Sequence, residues 1–110
     1  MRRRGENISS FEVEQGVNSH PAVLESAAIA VKSELAEDEV MICIALKQGQ
    51  TLTAQDLILH CQDQMAAFMV PRFVRFMTQL PKTPTERVQK YRLRDEGVTD
   101  DTFDREGDIS

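Results

Sequence analysis

Nine residues, EVMICIALK at Glu39–Lys47, constrain the fold more than any other stretch of the chain. Side chains alternate across a strand, so Val40, Ile42, Ile44 and Leu46 share one face and Met41, Cys43 and Ala45 the other. Both rows are apolar. A strand with one face in water keeps a polar row, and this one keeps none. It must therefore be central in a sheet and covered on both sides. The rest of the chain has to supply neighbouring strands and two covering layers.

The flanking sequence offers both. AVLESAAIAVK reads as a strand over Val23–Lys32, and SELAEDE as an acidic turn into the central strand. RFVRFM, after Pro71, reads as a short third strand. Ser9 and Glu12 have capping-box spacing, and Ile8 with Val13 suits a hydrophobic staple. A short helix is therefore expected from about Ser10 to Asn18, stopped by Asn18, Ser19 and Pro21. TAQDLILHCQDQMAAFMV reads as one long helix with Thr53 as N-cap and Asp56 in its first turn. Leu57, Ile58, Cys61 and Met65 form its apolar stripe, and Pro71 ends the segment. VQKYRLR is expected to close in a short helical end. The order is helix, strand, strand, helix, strand, loop, tail. This is an α+β domain: a small sheet of about three strands with packed helices and a short N-terminal hairpin or turn.

A chain of 110 residues fits one small domain. With no Trp, aliphatic side chains carry its core. The formal net charge of −5 is unevenly placed: residues 95–110 hold seven acids and one Arg, whereas residues 1–94 sum to +1. The expected division is a packed domain over 1–94 and an acidic, mobile or weakly docked tail over 95–110. A near-neutral body argues against a general nucleic-acid binder. Cys43 and Cys61 lie inside apolar segments without CxxC spacing, as reduced, buried thiols of a cytoplasmic protein do. The basic start, Met1–Arg4, is not followed by the apolar run of a signal peptide, and no stretch is long enough to span a membrane.

LPKTPTERVQKYRLR, Leu80–Arg94, gathers cations around a loop stiffened by Pro81 and Pro84. By composition it is a solvated basic loop. His20 and His60 have no neighbour suggesting catalysis, and Met65, Met69 and Met77 read as packing. Two stretches take the reading further. RRRGENISSFEVE resembles the segment just after the hinge of the ATP-dependent acyl-CoA synthetases, members of the adenylate-forming superfamily. AAFMVPRFVRFMTQLPKTPTERVQKYRLR resembles that family's C-terminal signature, P-K-T-x-T-G-K-[IV]-x-[KR]. HPAVLESAAIAV and DEVMICIAL are similar to its central strands. The likeness extends through about Arg94.

The resemblance implies a part of an enzyme: a C-terminal lid closing over a large N-terminal adenylation domain that holds the ATP and acyl sites. In that family a carboxylate and Mg-ATP give an acyl-adenylate, the lid rotates, and coenzyme A's thiol forms the thioester. The implied cofactors are ATP, Mg and coenzyme A, bound mainly with the N-terminal domain, and the lid by itself is expected to be inactive. The implied partners are that domain, coenzyme A and the acyl-adenylate, with no nucleic acid. Where the signature has Gly-Lys, this chain has Glu86-Arg87. Arg87 is thus the implied catalytic cation of adenylation, keeping lysine's charge in a wider, planar fork. Glu86 forfeits glycine's backbone freedom. Lys82 and Lys90 are the fallback cations. Arg4, Gly5, Glu6 and Asn7 fall where the family lines its pantetheine tunnel, with Gly5 allowing close backbone approach. Arg72, Arg92 and Arg94 are candidates for coenzyme A's phosphates and equally fit a solvated face. No residue is assigned to a metal. Two other readings stay open: the lid of a related enzyme that loads a carrier protein, and a free-standing α+β module binding nucleic acid or protein through the basic loop.

Overall fold

The computed structural model describes residues 1–3, 6–32 and 38–106; the side chains of residues 2, 3 and 6 lie outside that description. Strands β1 (Arg2–Arg3) and β2 (Glu6–Asn7) pair antiparallel with Arg2 opposite Asn7. This small ribbon is tied off where the Ile8 amide donates to the Met1 carbonyl at 2.8 Å. The main sheet has the order β3 (Val23–Lys32), β4 (Asp38–Leu46), β5 (Phe73–Met77), β6 (Phe103–Asp104). β3 and β4 are antiparallel, β4 and β5 parallel, and β5 and β6 antiparallel. The architecture is the expected α+β one, with four strands in the sheet instead of about three.

β4 is internal, and its two apolar rows enter two separate cores. Val40, Ile42 and Ile44 pack with Val13, Val17, Leu57, Ile58 and Cys61, from α1 (Ser10–Asn18) and α2 (Ala54–Gln64). Met41, Cys43 and Ala45 pack with Ala27, Ile29, Phe73, Leu80 and Leu93 on the opposite side. Leu93 belongs to α3 (Lys90–Glu96), the expected helical end. Both helix starts follow from their caps. The Glu12 amide donates to Ser9 Oγ at 3.3 Å, and the Asp56 amide to Thr53 Oγ1 at 3.1 Å. Ile8 and Val13 are both buried in one cluster, as a staple requires.

Two elements differ from the expectation. α2 stops at Gln64, where Met65 is extended (φ −147°, ψ 165°), and a 3-10 turn over Ala67–Met69 follows. Beyond the break Met69 and Val70 are both buried, and the chain turns toward β5. The parallel β4–β5 pair also needs a crossover, and this helix and turn supply it. The second difference lies in the acidic segment, expected to be a mobile or weakly docked tail. Asp95 and Glu96 close α3, and Phe103–Asp104 form the outer strand β6. Arg72 anchors that strand. Its Nε donates to Asp104 Oδ1 at 2.9 Å and its NH2 to Asp104 Oδ2 at 3.2 Å.

Candidate functional site

The basic loop is a tight hairpin built on one face of the sheet. Lys82 and Val88 form an antiparallel bridge. Beyond it, the Thr83 amide donates to the Arg87 carbonyl at 2.8 Å, and the Glu86 amide donates back to the Thr83 carbonyl at 2.9 Å. Pro84, Thr85 and Glu86 are thus a three-residue turn, a form that calls for a left-handed residue at its last position. Glu86 occupies that position at φ 69°, the only non-glycine residue with positive φ among the described residues. Thr83 Oγ1 tightens the turn by accepting from the Arg87 amide at 3.1 Å. At the base, the Gln89 amide donates to the Pro81 carbonyl at 2.8 Å, and Leu80 is buried. The backbone that presents Arg87 is therefore fixed from both ends.

Arg87 is exposed, and its guanidinium forms no ion pair among the described residues. The two fallback lysines differ. Lys82 Nζ lies 2.9 Å from Glu25 Oε1 and 3.6 Å from Glu86 Oε2, and its hydrogen bond to Glu25 holds its ammonium above the usual lysine range. Lys90 Nζ lies 2.6 Å from Glu14 Oε2. Both lysines are neutralised within the domain. These acids were missed in the sequence, where Glu14 reads only as an early helix residue. The partnership joins residues 57 to 76 positions apart and leaves no local signal.

Arg4 and Gly5 lie outside the described residues, as does the side chain of Glu6. Asn7 is exposed on β2. Among the phosphate candidates, Arg92 and Arg94 are exposed on α3, whereas Arg72 is buried. Arg72 is held by Asp104 and stacked 4.7 Å over the Phe73 ring, so it is a structural cation. His60 Nε2 lies 2.8 Å from Ser19 Oγ, and His20 Nδ1 accepts from the Ala22 amide, so both histidines serve the α1–β3 corner and its contact with α2. Burial pushes the Cys43 and Cys61 thiols up to about 11, which makes them poor nucleophiles near neutrality. Among the described residues, no three His, Cys, Asp or Glu side chains gather as a metal site, and no helix is long and apolar enough to cross a membrane.

Known proteins share this fold. A family model described as the AMP-binding enzyme C-terminal domain matches residues 12–87. The chain is 40% identical over 93 residues to a mitochondrial medium-chain acyl-CoA ligase of Danio rerio, covering 84% of this chain and 15% of that protein. Among solved structures, an anthranilate CoA ligase in complex with anthranoyl-AMP superposes with a TM-score of 0.80 at 34% identity, over 86% of this chain and 19% of that one. ATP-bound MatB from Rhodopseudomonas palustris gives a TM-score of 0.78 at 30% identity, over 83% of this chain and 18% of that one. The chain spans less than a fifth of each of these relatives.

Proposed function

The chain belongs to the family of AMP-binding enzyme C-terminal domains, and on that premise we propose that it is the lid of an ATP-dependent acyl-CoA synthetase. The overall reaction is carboxylate, ATP and coenzyme A giving acyl-CoA, AMP and pyrophosphate. In the first half, a carboxylate oxygen bonds to the α-phosphorus of ATP, and the bond from that phosphorus to the pyrophosphate oxygen breaks. Negative charge builds on the oxygens around that phosphorus. A cation held there in advance stabilises the transition state without reorganising at the moment of reaction. Arg87 is the proposed cation, and its fork suits both carboxylate and phosphate oxygens. In the second half, the segment around Arg4, Gly5, Glu6 and Asn7 borders the path of coenzyme A's pantetheine arm. The choice of coenzyme A over a carrier protein rests on the relatives, which are named as CoA ligases. The cytoplasmic expectation gains no support from the Danio rerio relative, which is mitochondrial.

The observation that carries the reading is the contrast among the loop's cations. Lys82 and Lys90 are paired inside the domain, while Arg87 stands exposed at the end of a braced hairpin. The test separates the half-reactions in the full-length enzyme. Arg87→Ala is expected to slow adenylation, read as pyrophosphate release, by about a hundredfold. Thioester formation from supplied acyl-adenylate should stay within about threefold of the parent. Equal loss in both halves, or in neither, overturns the assignment. Gly5→Leu should give the opposite pattern, and the isolated chain should catalyse neither half.

A further inference from the structure

We infer that Glu14 and Glu25 are positioning residues for adenylation: two carboxylate tethers that aim the Arg87 hairpin while cancelling the charge of the lysines beside it. The inference rests on the proposed role of Arg87.

Glu25 reaches it through an irregularity in β3. The register slips between Val23 and Glu25. Before the slip, Val23 points into the α1–α2 core; after it, Ala27 and Ile29 point into the opposite core. Glu25 is two residues before Ala27 and shares that second face. The bulge thus re-aims Glu25 toward the layer that contains Leu80 and the hairpin. There its carboxylate takes Lys82 Nζ at 2.9 Å, on the hairpin's first arm.

Glu14 works from the other layer. It stands on α1, across the sheet from α3, and its carboxylate passes the open edge of β3. One oxygen, Oε2, accepts from the Ala28 amide at 2.8 Å and lies 2.6 Å from Lys90 Nζ. Because β3 is an outer strand, the outward-facing amide of Ala28 needs an acceptor that no neighbouring strand provides. Glu14 satisfies it and moors the first residue of α3 with the same atom. Lys90 follows Gln89, whose amide closes the hairpin's base on Pro81. The hairpin is consequently held at both ends, one lysine per end, each by an acid from a different element. Arg87 is left between them as a cation whose charge no described carboxylate cancels.

The experiment uses the full-length enzyme with Glu14→Gln and Glu25→Gln, alone and combined with Arg87→Ala. Each single glutamine variant is expected to slow adenylation about tenfold and to leave thioester formation from supplied acyl-adenylate unchanged, because misplacing a reacting group hurts only the step that uses it. On the Arg87→Ala background, neither should cause further loss, since a residue acting through Arg87 has nothing left to position. Parallel loss of both half-reactions, or full additivity with Arg87→Ala, marks a merely structural role and overturns the inference. Glu14 also holds a backbone amide, so Glu25→Gln decides the matter if Glu14→Gln does not fold. Unchanged adenylation in the glutamine variants, with Arg87→Ala still impaired, overturns the tethers and spares the lid reading. Unimpaired Arg87→Ala brings down both.

Discussion

At residue 86 a side chain occupies a backbone conformation that costs an L-residue about 1–2 kcal/mol. Glu86 has φ 69°, because the three-residue turn it closes requires a left-handed last position. The ion pair with Lys82, at 3.6 Å and largely in solvent, returns little of that cost. Glycine would relieve the strain but add freedom to the unfolded chain. Glu86→Gly is therefore expected to leave stability unchanged or raise it by up to about 1 kcal/mol. Chemical denaturation of the domain checks this, and a loss above about 1 kcal/mol would show that Glu86 makes a compensating contact. Arginines show how far residue type carries. Arg72 and Arg87 look alike in sequence, each beside a Pro-containing stretch. Arg72 is buried against Asp104 and Phe73, while Arg87 is exposed on a hairpin. For Arg72 the difference comes from Asp104, 32 residues away, which no local pattern links to it; Arg87 sits in a turn closed locally by Thr83.

At the scale of elements, the strands were legible because their apolar rows were. β3 and β4 have the ends the alternation predicts to within a residue, and the two faces of β4 enter two cores. α2 was over-extended because Ala66–Val70 is helix-compatible by composition; the chain instead leaves the helix at Met65 and turns through Ala67–Met69 toward β5. β6 was invisible for a different reason. Two residues carry no periodicity, and their acidic surroundings read as solvated chain. What makes β6 a strand is the cation waiting across from it. Asp104→Ala should remove the bidentate acceptor of buried Arg72 while leaving Glu39 4.0 Å away, at a cost of about 2 kcal/mol. Chemical denaturation would register that loss, and faster amide exchange at Phe73 and Val74 would localise it, since β6 pairs with those residues. A cost below about 1 kcal/mol would mean that the strand is held chiefly by other contacts.

For the whole molecule, the titration of buried thiols predicts a weakness at alkaline pH. Cys43 and Cys61 sit in opposite cores, each pushed from 9.0 to about 11 by burial. Between those values the unfolded chain loses thiol protons that the folded chain keeps, so stability falls as pH rises from about 9 to 11. The loss reaches roughly 2–3 kcal/mol per thiol. Lys82 acts in the same direction: its raised value means that its contribution is complete below the ordinary lysine range and fades as pH climbs through the folded value. Melting curves between pH 8 and 11 should slope downward, and Cys43→Ala with Cys61→Ala should flatten most of the slope; an unchanged slope would assign it to other groups. The amino-acid sequence alone determined the α+β class, the central place of β4, both helix caps and a proline-stiffened loop around Arg87. Those follow from side-chain period, capping chemistry and proline, all of which act over a few residues. That this loop closes as a hairpin came from the structure. Only the tertiary structure decided which cations are spent. Lys82, Lys90 and Arg72 meet Glu25, Glu14 and Asp104 across 32 to 76 residues, and a charge is cancelled by whatever lies near it in space, at whatever distance along the chain.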